Sequence, residues 1–136
     1  MIWLLDTDTL GYLINRSAGA ERIKRRLSGR SPGEVRLSAI TLSEIQYGLA
    51  RGDVSLERRD ALDALLDLFE VEDYPAAAAR DFGDIRAKLE RAGQRIGPYD
   101  LLIAAHARNI GAVLVTNNER EFRRVPGLAV QNWLKP

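Results

Sequence analysis

Three carboxylates in this chain, Asp6, Glu44 and Asp100, have no cation at helical spacing. An acid on a helix is normally answered by Lys or Arg three or four residues away. Elsewhere the chain follows that rule, with Glu21 beside Lys24 and Arg25, Asp84 beside Lys88, and Glu90 beside Arg86. At the same offsets Asp6 finds Thr9 and Leu10, Glu44 finds Ile40, Thr41, Tyr47 and Gly48, and Asp100 finds Gly97, Ile103 and Ala104. Carboxylates gathered in a partly dry cleft either raise the pKa of one member or hold a cation. An all-oxygen donor set suits Mg²⁺ or Mn²⁺, which keep several water ligands and leave positions open. Open positions that take a phosphate oxygen and a water point to phosphodiester hydrolysis.

The elements around these acids must bring them together. Ile2 to Leu5 reads as a strand ended by Asp6, a residue type suited to cap the helix that Leu10, Leu13 and Ile14 mark by their spacing. Ala20, Ile23 and Leu27 predict a second helix with a basic outer face, closed by turn residues from Gly29 to Gly33. Val35 to Ser38 predicts strand two, with a helix over Ile40 to Leu49 that stops near Gly52. Leu62, Leu65, Leu66 and Phe69 mark an amphipathic helix before a short third strand at Val71, and Phe82, Ile85 and Leu89 mark another helix. Gly97-Pro98 opens a helix that is apolar on nearly every side from Leu101 to Ala107. Ala112 to Val115 and Leu128 to Val130 predict strands four and five.

Strands alternating with helices imply an α/β fold with a short, mostly parallel sheet of about five strands between two helical layers. Ligands of such sheets bind beyond the carboxyl ends of the strands, where the strand order reverses. Asp6 and Glu44 follow strands one and two, Thr116, Asn117 and Asn118 follow strand four, and Asp100 opens a helix that can reach the same rim.

The 136 residues fit one domain with one sizeable core, and no linker or repeat divides them. With no Cys there is no catalytic thiol, no thiolate zinc site and no disulfide, which is compatible with a reducing cytoplasm, the expected location. No apolar run approaches a membrane span, so no membrane partner is expected. The net charge of +1 supplies no global attraction to nucleic acid, so any such binding is local. The cluster Arg22, Lys24, Arg25, Arg26 and Arg30 reads first as a solvated helix face. Arg120, Arg123 and Arg124 divide evenly between that reading and contacts to RNA phosphates. Trp3 and Trp133 read as core or dimer-contact residues, and His106, inside an apolar run, as a packed ring bonded to backbone.

The strings LLDTDTL at 4–10, LSAITLSEIQYGL at 37–49, IGPYDLLIAAHA at 96–107 and VLVTNNEREFRRVPGL at 114–128 resemble the PIN-domain ribonuclease toxins of the VapC family over essentially the whole chain. Their detail is similar to the branch that cleaves initiator tRNA in the anticodon stem-loop. The resemblance implies a single PIN domain over 1–136 and a Mg²⁺- or Mn²⁺-dependent endoribonuclease that leaves 5′-phosphate and 3′-hydroxyl ends. It implies Asp6, Glu44 and Asp100 as metal-binding acids. Asn118 lies where many members carry an acid, with Glu121 as the expected substitute, and Asp8 stands where Asn is commoner. Thr41, Thr116, Asn117 and Asn118 are supporting candidates that could orient water or phosphate, or cap helices. A homodimer and a small VapB-like antitoxin that blocks the acidic site are the implied partners.

Two other readings compete. Asp6-Thr7-Asp8-Thr9 after a strand matches the nucleophile motif of haloacid-dehalogenase-like phosphatases, in which Asp6 and Asp8 would act. That fold needs an acidic pair after strand four, where this chain has VTNN. A non-catalytic acidic module docking basic peptides keeps all the acids but predicts no metal dependence.

Overall fold

Leu4, Leu5, Leu37, Leu114 and Val115 are shielded from solvent at the centre of a sheet of very short strands. The computed structural model describes residues 1–136. Strand β1 (Trp3–Leu5) leads into α1 (Thr7–Ile14) and α2 (Ala20–Ser28); β2 (Val35–Ser38) into α3 (Ala39–Arg51) and α4 (Leu56–Leu66). β3 (Glu70–Glu72) is followed by α5 (Ala78–Arg91) and α6 (Pro98–Ile110), β4 (Val113–Val115) by α7 (Glu119–Phe122), and β5 (Ala129–Gln131) ends the sheet. All pairings are parallel, in the order β3-β2-β1-β4-β5. The expected α/β fold with about five strands is therefore found.

Side chains of a strand alternate between faces, and the two cores divide accordingly. Leu4 and Leu114 pack with Ile85, Leu89, Leu101, Ile103 and Phe122 on the face covered by α5 and α6. Leu5, Leu37 and Val115 pack with Leu10, Ile23, Ile45, Leu62 and Trp133 on the other. Sandwiched between two helical layers, the central strands have no solvent face, which is why they read as unbroken apolar runs. Truncating Leu4 to Ala in such a setting costs about 2–5 kcal/mol.

Element boundaries moved where caps decide them. The Ser55 hydroxyl accepts from Arg58 N–H at 3.2 Å, so α4 starts well before the stripe at Leu62. It ends at Leu66, and Phe69 leaves the helix to enter the core ahead of β3. α3 runs on to Arg51 before Gly52 ends it. α6 begins with Pro98 in its first turn and ends at Gly111, whose φ of 68° is a left-handed C-cap conformation that glycine adopts without strain.

Register fixes the rim. Leu5 is aligned with Leu37 on one side and Val115 on the other. Asp6, Ser38 and Thr116, the next residue of each strand or loop, therefore lie level at the carboxyl edge. The order reverses between β1 and β4, since the chain builds outward through β2 and β3 and then returns to the opposite side of β1.

Candidate active site

At that reversal point a cavity of about 360 Å³ is lined by Asp6, Thr7, Asp8, Asp100, Asn117, Asn118 and Phe122. β1 delivers Asp6, the first turn of α6 delivers Asp100, and the loop after β4 delivers the two asparagines. A larger hollow of about 780 Å³ lies near the other end of α6, but the charges of Asp81, Asp84 and Arg108 that line it are already paired with one another.

Asp6 is 3% exposed and does two jobs. Its Oδ1 accepts the Thr9 N–H at 2.8 Å, capping α1 as its residue type suggests. Its carboxyl is also pushed up to about 6, chiefly by burial, against the pull of hydrogen bonding from Thr116 and Thr9 and with the Asp8 charge adding to the rise. Asp100 is likewise raised to about 6, first by burial and then by the charges of Asp6, Glu121, Glu44 and Asp8. All five acids therefore share one electrostatic field, although they come from four separate elements.

Glu44, half-buried on α3, is held by the Thr7 hydroxyl, which donates to its Oε1 at 2.7 Å. Thr7 Oγ1 also lies 3.3 Å from the buried Thr41 hydroxyl. Glu121 on α7 accepts from Asn118 Nδ2 at 2.9 Å. Its neighbour Glu119 is neutralised by Arg123 at 3.0 Å and Lys135 at 2.6 Å, and its carboxyl is pulled down to about 2, first by its bond to Lys135. Arg123 is thus engaged with Glu119, while Arg120 is exposed and Arg124 half-buried, neither in an ion pair.

No ion pair involves Asp6, Asp8, Glu44, Asp100 or Glu121, whereas Glu21, Asp84 and Glu90 have the helical partners their spacing suggested. No three of the rim acids are close enough to form a ready-made cage, so the arrangement is an open rim. Hard ions that retain much of their water suit such a rim. Unpaired carboxylates, two of them shifted upward, are what a cation would relieve, and the residues present fit a divalent ion.

Thr7 is the functional candidate that the sequence reading missed, because its link to Glu44 depends on how α1 and α3 meet across the sheet edge. Asp8 is settled by geometry, since Asp6 caps α1 while Asp8 stays exposed and lines the cavity. Thr116 is buried, accepts the Asn118 N–H at 2.9 Å and hydrogen-bonds Asp6. Asn117 is tied to Tyr12 Oη at 3.2 Å and to Asn132 at 3.2 Å, which fixes the loop after β4.

Two expectations need correction. His106 bonds a side chain, not backbone: Nδ1 lies 2.8 Å from Ser38 Oγ. Ser38 Oγ also accepts the Ile40 N–H, so the same hydroxyl caps α3 and holds the ring. Burial pushes the His106 pKa down, and the ring joins α6 to the start of α3. Arg30 is not on a solvated face, because its guanidinium lies 4.4 Å from the centroid of Trp3 and 4.5 Å from that of Trp133. Trp133 itself is core, as expected.

A five-stranded parallel sheet with unpaired carboxylates at its reversal point is an α/β protein whose carboxyl edge suits a divalent ion. The PIN domain family profile matches residues 3–128. Ribonuclease VapC2 of Rickettsia felis is 37% identical over 135 residues, covering 99% of this chain and 100% of the relative. The tRNA(fMet)-specific endonuclease VapC of Shigella flexneri is also 37% identical, over 96% of this chain and 97% of its own. The crystal structure of DNA-bound VapBC from Salmonella typhimurium superposes with a TM-score of 0.88 at 37% identity over 98% of both chains. The chain belongs to the PIN domain family and, within it, to the VapC ribonucleases.

PIN-domain ribonucleases depend on divalent metal ions. The phosphatase alternative finds no support. The loop after β4 carries Asn117 and Asn118 where that fold requires an acidic pair. No helix is long and apolar enough to cross a membrane.

Proposed function

We propose that this chain is the toxin of a toxin–antitoxin pair, an endoribonuclease that uses Mg²⁺ or Mn²⁺ to cut initiator tRNA in the anticodon stem-loop. The observation carrying the chemistry is the shared field at the rim, in which Asp6 and Asp100 are both held near 6 with no protein cation to neutralise them. The substrate rests on the likeness to relatives described as tRNA(fMet)-specific.

Asp6 and Asp100 are the principal metal-holding residues in this reading, Glu44 the third, and Glu121 the fourth acid in place of one at Asn118. When bound, the ion neutralises charge developing on the phosphate and makes water a better nucleophile near neutral pH. Thr7, which lines the cavity, holds the Glu44 carboxylate, whereas Glu44 itself does not line it. Asn118 holds Glu121 with one amide hydrogen and has donor capacity left for a phosphate oxygen, as has Asn117. Cleavage leaves 5′-phosphate and 3′-hydroxyl ends. Arg120 and Arg124 flank the loop as candidate phosphate contacts, and Arg123 is a weaker one while paired to Glu119.

A VapB-like antitoxin is the proposed regulator, supported by toxin–antitoxin complexes among the similar structures. A homodimer is proposed on the family resemblance. The test is to express the chain with and without Asp6→Asn and map new RNA 5′ ends by sequencing. A single cut in initiator tRNA that disappears in the variant supports the proposal. Equal cleavage by both forms refutes the role of the rim.

A further inference from the structure

An acidic rim repels the substrate it must cut, so the polyanion has to be held from outside it. The whole chain offers a net charge of only +1, and attraction must come from a local concentration of cations. One exists beside the rim. Arg22, Arg25 and Arg26 of α2 and Lys135 of the C-terminal segment line a hollow of about 230 Å³, with Pro136 as its remaining wall. No acidic side chain lines it, and although Lys135 is paired with Glu119 at 2.6 Å, Arg22, Arg25 and Arg26 are in no ion pair.

Helix physics does not account for this grouping. Cations in the last turn of a helix are favoured by its dipole, which covers Arg25 and Arg26, but Arg22 is in the first turn of α2, where a positive charge is disfavoured. Lys135 comes from a different part of the chain. Arg22 is held in place by donating to the Leu134 carbonyl at 2.9 Å, which fastens the C-terminal segment to α2 and brings Lys135 in. Neither Arg25 nor Arg26 has an ion-pair partner, unlike Lys24, which reaches Glu21 at 3.3 Å.

A chain of side-chain contacts links the hollow to the active-site cavity. Lys135 bonds Glu119, Asn132 lies 3.4 Å from Glu119 and 3.2 Å from Asn117, and Asn117 lines the cavity. We propose that Arg22, Arg25, Arg26 and Lys135 form a second docking site, for the phosphate backbone of the RNA substrate on the side of the rim where α2 and the C-terminal segment meet. The proposal rests on the ribonuclease reading above. It assigns these residues to holding a strand remote from the cut, with no part in the chemistry and no reading of bases, because arginine and lysine contacts to phosphate fix position without sequence information.

The test compares wild type with Arg25→Glu/Arg26→Glu, and separately with the milder Arg25→Gln/Arg26→Gln. Binding of an initiator tRNA transcript in Ca²⁺ is measured by fluorescence anisotropy across a salt series, and cleavage is measured in Mg²⁺. Thermal melting and Mn²⁺ titration establish that each variant is folded with an intact metal site. The expected result is at least tenfold weaker tRNA binding in the Glu variant, a smaller loss in the Gln variant, and a salt slope shallower by about 1.5, at roughly 0.7–0.9 for each phosphate no longer neutralised. Unchanged affinity and slope, with the wild type cutting tRNA, overturn the docking site while leaving the nuclease reading intact. Loss of antitoxin binding alone, with RNA affinity unchanged, assigns the patch to the protein partner and also overturns it. A wild-type chain that cuts no RNA refutes the ribonuclease reading, and this inference with it.

Discussion

Replacing Asp6 by Asn should remove activity and, in metal-free buffer, make the protein more stable. The Asp6 carboxyl is raised from its ordinary 3.8 to about 6 because burial penalises its charge. Roughly two pKa units at about 1.36 kcal/mol each correspond to about 3 kcal/mol of strain in the ionised form. A group whose folded pKa is raised binds more protons in the native state than in the unfolded state between those two values. Stability is therefore greatest below the unfolded pKa and falls as pH rises toward about 6. Above that the whole penalty is present.

Asn keeps the oxygen that caps Thr9 N–H and carries no charge, but its second amide hydrogen needs an acceptor, so a net gain of about 1–3 kcal/mol is expected. For a domain of this size that corresponds to about 4 °C in Tm per kcal/mol. Calorimetry in EDTA at pH 7.5 should show the variant melting above wild type, with the difference reduced to about half at pH 5. Added Mn²⁺ should then raise the wild-type Tm and leave the variant unmoved. An Asn variant that melts at or below wild type at pH 7.5 without metal refutes the argument that this carboxylate is strained.

Three further outcomes follow from other parts of the structure. Divalent-metal affinity, followed by titration calorimetry, should weaken steeply as pH falls through about 6, because Asp6 and Asp100 both take up protons there and the protonated forms are poor ligands; a flat profile between pH 5 and 7.5 would exclude these two groups. Thr7→Val removes the 2.7 Å bond to Glu44 without changing side-chain shape, and should lower kcat about tenfold with an unchanged Tm, whereas Thr7→Ser should restore most of the loss. Arg108→Ala should cost about 2–3 kcal/mol by chemical denaturation, since Arg108 is largely buried and bonds Asp81, Asp84 and the Pro126 carbonyl together, yet leave metal affinity at the rim unaffected.

Much of this organisation is legible from local pattern. The strands are apolar runs because helices cover both of their faces, and i,i+4 pairs such as Asp84–Lys88 and Arg86–Glu90 form where their spacing places them. Asp6, Glu44 and Asp100, which lack such partners, act on one another at the rim. What local pattern could not carry is contact between elements. The hydroxyl of Thr7 on Glu44, the Ser38–His106 bond and the Arg30 guanidinium against two indoles all depend on sheet order and on where the C-terminal segment returns. The stop at Gly52 is legible, whereas the start of α4 is not, since the Ser55 cap sets it and the apolar stripe at Leu62 lies further on.

The central position of β1 between β2 and β4 has a bearing on synthesis. Asp6 leaves the ribosome early, but its rim lacks a wall until the strand at Val113–Val115 slots in beside it and the loop through Asn118 closes over the gap. The rim therefore cannot form until β4 and the loop after it have been made, more than a hundred residues after Asp6.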